Sequence, residues 1–318
     1  MKKTITTLLL GMVATMTLSG CSLFRESDKP LVIATLFPQY SFAKSLAGEY
    51  VDVELLLPIG TSPHSFEPTP QKVIKMNQAD LFMYSSETLE PWVHEFVVDS
   101  PNHQGTVLDL SQNITLGEEE HEGSEEASLE DEHDHDHGVD PHYWTDPLNN
   151  LIMIDDIEAA LINLLPDYQT EIASNASALK EEINQLHTDY LDLMTYATVN
   201  TIIYGGHFAF GYLAHRYGIE YVTPYSGFSL SASPNAAAIA ELIDTMQLLG
   251  TNVIYSAELE GTAIANAIKD QVEDAVLLNL YPGENVSLNQ WNQGLTYQAI
   301  ARLNLENLKI GLGYQKTN

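Results

Sequence analysis

The sequence contains a single cysteine in 318 residues, which excludes an intramolecular disulfide. Basic residues are almost as scarce. Lysine and arginine total 13 against 44 aspartates and glutamates, a formal net charge of −31. So few cations cannot neutralise a phosphate backbone, which excludes nucleic acid as a partner, and they do not suit a basic membrane-surface protein either. Short catalytic signatures are missing as well: there is no Walker-type phosphate loop, no Gly-x-Ser-x-Gly and no His-Glu-x-x-His. Gly311-Leu312-Gly313 lacks the third glycine and the following helix of a dinucleotide site. Apolar residues are not short. At 44% they match a globular protein, so the acidity does not imply disorder. A chain of this length can bury a large core, usually split over two domains.

At the N-terminus, Lys2 and Lys3 precede an uncharged apolar and small-residue stretch from Thr4 to Gly20. It reads as a secretion signal, too short and too weakly flanked for a transmembrane helix. It ends in Leu18-Ser19-Gly20-Cys21, which resembles the lipobox of bacterial lipoproteins, where the cysteine is lipidated and becomes the first residue. Residues 1–21 are then a signal peptide and residues 22–29 a polar tether. Cys21 is the anchor that holds the chain at the membrane without spanning it, and no thiol remains for thiolate chemistry.

From residue 30 onward, strand and helix signals alternate. Leu31–Phe37, Val51–Leu57, Ala79–Ser85 and Val107–Leu110 are strand candidates, and Tyr40–Ala47 has helical spacing that stops near Gly48. Thr69-Pro70 is a helix start, with threonine as cap and proline at the first helical position. In the second half, Thr201–Tyr204, Asn252–Tyr255 and Ala275–Leu280 are strand-like. A helix opens at Ser233-Pro234 and runs to Leu249, and Thr296–Leu308 closes the chain as a helix. Pro166 to about Ala197 reads as one long helix, with Ile172, Leu179, Ile183, Leu186, Tyr190, Leu193 and Met194 recurring every three to four residues. The expected fold is α/β: mostly parallel sheets flanked by helices, in an N-terminal part (30–165) and a C-terminal part (198–318), with the long helix (166–197) as a rigid spacer.

One segment breaks the pattern. Gly117 to Asp140 holds twelve acidic residues, four histidines and no lysine or arginine. It cannot bury a core and is expected to be a mobile loop. Its histidines, His121, His133, His135 and His137, lie among carboxylates and suit weak, exchangeable binding of several metal ions. The alternative is a solubilising insert whose histidines are incidental.

The remaining histidines carry the sharper signal. His64, His142 and His207 each fall at or near the end of a strand candidate, and in open α/β sheets such positions face ligand crevices. His94, His103, His187 and His215 have no such setting, and His187 reads as part of the solvated face of the long helix. Three neutral imidazoles plus one carboxylate would suit a borderline-soft divalent ion such as zinc in tetrahedral geometry. Structural or surface roles are the commoner fate of any one histidine.

Longer motifs narrow that choice. Pro58-Ile59-Gly60-Thr61-Ser62-Pro63-His64-Ser65-Phe66-Glu67-Pro68 resembles the first ligand loop of the metal-binding lipoproteins of zinc and manganese ABC importers. Asp140-Pro141-His142-Tyr143-Trp144 is similar to the segment that supplies their second ligand, and the acidic, histidine-rich stretch before it resembles that of zinc-type members. Gly206-His207-Phe208-Ala209-Phe210-Gly211-Tyr212-Leu213, followed by Tyr217-Gly218, is similar to the third ligand motif, where histidine is typical of zinc binders and glutamate of manganese binders. Pro282-Gly283-Glu284 occupies the fourth position and makes Glu284 the candidate there. Gly283 departs from the family's apolar residue, and Glu258, Glu67 and a water are the alternatives. The resemblance covers roughly residues 30 to 318. It implies two α/β lobes joined by a long helix, with His64 and His142 from the first lobe and His207 and Glu284 from the second.

The implied role is non-enzymatic: a monomeric, lipid-anchored protein outside the cytoplasm that captures Zn2+ and delivers it to an ABC permease driven by its ATPase. Because ligation needs neutral imidazoles, affinity is expected to fall below about pH 6.5. Three other readings compete: a manganese carrier (Mn2+) of the same family, which His207 disfavours, a surface adhesin, and a zinc hydrolase with Glu67 as its base.

Overall fold

A computed structural model describes residues 28–48, 50–117, 139–225, 236–257, 259 and 262–316. Cys21, the polar tether up to residue 27, the four histidines of the acidic segment, Glu258 and the expected helix start at Ser233-Pro234 lie outside the described residues.

The chain begins with four parallel strands. They are β1 (Leu31–Ala34), β2 (Asp52–Leu55), β3 (Leu81–Tyr84) and β4 (Thr106–Asp109), in the order β2-β1-β3-β4. The inner strands β1 and β3 are buried throughout, as strands covered on both faces must be. The first strand is shorter than its apolar run implies. It stops at Ala34, and α1 (Phe37–Ala47) takes over, because Pro38 pre-sets helical φ and the Gln39 side chain accepts the backbone N–H of Leu36. The Thr69-Pro70 signal opens α2 (Pro70–Met76), with the Thr69 hydroxyl accepting from the Lys72 amide.

The second half repeats this plan. β5 (Thr201–Ile203) pairs in parallel with β6 (Glu220–Val222), and β7 (Val253–Ser256) with β8 (Val276–Asn279). A parallel bridge between Tyr204 and Tyr255 joins the two pairs, so the order becomes β6-β5-β7-β8, the same winding as the first sheet. Helices α5 (Gly211–Tyr217), α6 (Ala236–Leu249), α7 (Ala263–Lys269), α8 (Leu288–Asn292) and α9 (Tyr297–Gly311) complete this half.

Two helices lie between the sheets in sequence. α3 (Pro147–Leu164) starts on an Asp146 cap and a first-position proline. Leu165 and a 3-10 turn at Pro166–Tyr168 then lead into α4 (Gln169–Tyr196), so the long helix begins one turn later than expected. At 28 residues it is about 42 Å long. Its apolar stripe serves two cores in succession. Ile172, Ala176, Leu179 and Ile183 pack in the N-terminal core, while Leu186, Tyr190 and Leu193 pack in the C-terminal core. His187 on this helix is not part of a solvated face: its Nδ1 lies 2.9 Å from the Tyr217 hydroxyl. The chain end also crosses over, because Val286, Tyr297 and Ile300 belong to the N-terminal core.

Candidate metal centre

In parallel α/β sheets, loops at the carboxyl ends of the strands form the ligand crevice. Each candidate ligand sits on such a loop. His64 follows β2, on a 3-10 turn that opens with Pro63. His142 lies beyond β4, just before a 3-10 turn at Tyr143–Thr145. His207 follows β5, and Glu284 follows β8.

The structure brings the three histidines together. One side-chain nitrogen from each of His64, His142 and His207 lies within 4.8 Å of the others, and among the described residues no other such group of histidine, cysteine or acidic side chains occurs. The Nε2 atoms of His64 and His142 are 3.1 Å apart. Glu284 Oε2 lies 3.8 Å from His64 Nε2 and 4.0 Å from His142 Nε2. A tetrahedral ion with bonds of about 2.0–2.1 Å places its donor atoms about 3.4 Å apart, close to the His64–His142 spacing. Glu284 is not in the group whose ligand atoms all lie within 4.8 Å of one another, so its carboxylate has to move inward to complete the set. Glu67 is exposed and outside the histidine group, and so are His94, His103, His187 and His215.

His142 and His207 are buried, while His64 keeps an exposed edge. Burial depresses the imidazoles. His64 is lowered to about 4 by desolvation and by the neighbouring His142. His207 is lowered to about 3 by desolvation, His142 and His64, against a smaller opposing pull from Asp140. Both are therefore neutral, ligand-ready bases at physiological pH. Proton competition at these two rings sets in at a lower pH than for an ordinary imidazole.

Several residues without an assigned role shape the centre. Asp140 Oδ1 accepts from the backbone N–H of His142 at 2.9 Å and lies 2.8 Å from its Nδ1. A carboxylate can only accept, so the ring proton is held on Nδ1 and the Nε2 lone pair faces the centre. The Asp-Pro-His order was the available signal, since a carboxylate two residues before a ligand can reach back to it. The Pro282–Val286 segment is clasped to the N-terminal half. The Trp144 indole donates to the Pro282 carbonyl, and the Asn285 amide donates to the carbonyls of Pro58 and Thr61. Glu284 thus belongs to the C-terminal half in sequence but is held against the first half by hydrogen bonds. Gly283 has φ +75, and a Cβ there would fall 2.8 Å from the Tyr297 ring, which accounts for glycine at this place.

Imidazoles gathered from loops of two parallel sheets, across a long shared helix, define a metal-binding α/β protein. Comparison with known proteins gives the family: the chain belongs to that described as zinc-uptake complex component A, periplasmic, which matches residues 32–311. It is 32% identical over 306 residues to the zinc-binding lipoprotein AdcA of Streptococcus pneumoniae (strain ATCC BAA-255 / R6), covering 95% of this chain but 60% of that relative. It is also 32% identical to the high-affinity zinc uptake system protein ZnuA of Bacillus subtilis (strain 168), covering 90% of this chain and 89% of that protein. The crystal structure of the Zn(II)-bound ZnuA-like domain of Streptococcus pneumoniae AdcA superposes with a TM-score of 0.73 at 28% identity, covering 89% of this chain and 99% of that domain. The family is one of solute-binding transport proteins. Among the described residues, no helix is long and apolar enough to cross a membrane.

Proposed function

We propose that this protein captures zinc outside the cytoplasm and delivers it to an ABC permease, with His64, His142, His207 and Glu284 as the ligands. The observation that carries this reading is the convergence of three largely buried imidazole nitrogens within 4.8 Å, drawn from loops of both sheets. The donor set favours zinc over manganese, which prefers harder oxygen ligands, and the relatives named for zinc support the same choice. Glu284 is the fourth ligand because its carboxylate already faces two of the imidazoles. Ligands from both sheets let ion occupancy bias how the two halves meet, and a permease can read that difference. The shared helix limits the movement to a small one. Cys21 carries the lipid anchor, residues 22–29 serve as its tether, and the histidines of the acidic segment collect zinc for the buried centre. The N-terminal unit (30–165) and the C-terminal unit (198–318) act as two lobes on the helix between them.

A zinc and manganese titration of the soluble chain, as wild type and as His207→Glu, tests the reading. Wild type should prefer zinc, and His207→Glu should shift the preference towards manganese. A wild type that prefers manganese would overturn the choice of cargo.

A further inference from the structure

Helix α5 begins four residues after His207, and one face of it grips the segment that carries His142. Tyr212 and Arg216 stand four residues apart, which places them on the same side of the helix. The Tyr212 hydroxyl accepts from the Gly117 amide at 2.8 Å and donates to the Asp140 carbonyl at 2.8 Å. Asp140 in turn fixes the His142 ring through Nδ1. One turn further on, Arg216 donates from both Nε and Nη2 to Asp146 Oδ2, each at 2.8 Å. Asp146 is buried, and its other oxygen caps α3. His142 is therefore bracketed, two residues before and four residues after, by contacts to the helix that follows His207. The approach is close: a Cβ on Gly211 would fall 2.6 Å from Asp140 Oδ2.

We propose that α5 is a clamp, and that Tyr212 and Arg216 are positioning residues which set how long the ion stays bound without touching it. The proposal rests on the three-imidazole reading of the centre. With the clamp closed, the His142 and His207 rings keep a ligand-like separation, and an ion leaves only when one ring swings away. Removing the Tyr212 hydroxyl leaves only the amide hydrogen bond to Gly117 holding the Asp140 main chain and loosens the ring that Asp140 orients. A wholly structural tyrosine would change melting temperature and leave ion release alone.

The test is zinc release from the full chain, loaded with one equivalent and challenged with excess chelator. It compares wild type, Tyr212→Phe, Arg216→Gln, Tyr217→Phe and His207→Ala. Tyr217 is the control, because it sits on the same helix and its hydroxyl hydrogen-bonds His187 rather than Asp140 or Asp146. Tyr212→Phe and Arg216→Gln should each release zinc about 10-fold faster or more, the size expected for partners behind metal ligands. The cobalt-loaded visible spectrum should shift in both variants, and Tyr217→Phe should match wild type in both measurements. Release from Tyr212→Phe within about twofold of wild type, or equal acceleration by Tyr217→Phe, would overturn the clamp. If His207→Ala holds zinc as tightly as wild type, the reading of the centre itself fails, and the clamp with it.

Discussion

His142 is the least adaptable ligand candidate, because its backbone N–H and its ring nitrogen both face Asp140 Oδ1. Asp140→Asn should therefore weaken zinc binding by about 10- to 100-fold, the range for lost partners of ligating histidines. The amide can turn its NH2 towards Nδ1 and push the ring proton onto Nε2, where the ion would bind. A competition titration against a chromophoric chelator measures the loss. The depressed imidazoles give a second expectation. Unfolded histidines take up protons near pH 6.5, whereas folded His64 and His207 do so only near 4 and 3. Between those values the unfolded chain binds more protons, so the stability of the metal-free protein falls as pH drops below about 6.5. Zinc affinity of the folded protein should stay nearly level as far as these two rings are concerned and drop only towards pH 4. Thermal melts and titrations across pH 4–8 separate the two trends. The three histidines were legible from strand-end position and motif. Asp140, Tyr212, Asp146 and Arg216 were not assigned roles, because a supporting residue is defined by what it reaches in space, and spacing along the chain reveals that only for near neighbours such as Asp140 and His142.

Among the elements, α4 connects the two cores, and its stripe was legible because apolar residues recur at helical spacing over 28 residues. Ile183 lies fully buried on this stripe, in the N-terminal core. Ile183→Ala should cost about 2–5 kcal/mol of stability, as buried truncations do, and chemical denaturation reads the loss. α3 went unrecognised although it has the same proline start as α2. Its buried face includes Asn149 and Asn150 beside Met153, Ile154, Ile157 and Leu161, which blurs the apolar periodicity. β6 escaped for a different reason. It has three residues, Glu220 and Tyr221 are exposed, and pairing with β5 rather than its own composition makes it a strand. The β1-to-α1 boundary shifted because one apolar run served two elements.

For the whole molecule, the notable fact is that two sheets of the same strand order present their carboxyl ends to one centre. The acidic segment enters and leaves at a single point: the Asp140 amide donates to the Gly117 carbonyl, and Tyr212 bridges the same two residues. Replacing residues 118–138 with a short Gly-Ser linker should therefore leave the melting temperature and the affinity of the buried centre unchanged. Zinc uptake at low external metal should fall if the segment collects ions. Unchanged uptake would leave it a solubilising insert. Much of this scale was legible too, because alternating strand and helix signals imply parallel sheets. The crossover of the chain end was not, since Val286, Tyr297 and Ile300 look like any apolar residues of a closing helix until their partners in the first half are known.

Imidazoles from both sheets are proposed to hold one ion. Zinc-edge X-ray absorption on the protein lacking residues 118–138, loaded with one equivalent of zinc, tests this most directly. Three imidazoles and one oxygen at about 2.0–2.2 Å are expected, with one imidazole lost in His207→Ala. Fewer than three imidazoles in the wild type, or a spectrum that His207→Ala leaves unchanged, would contradict a shared centre.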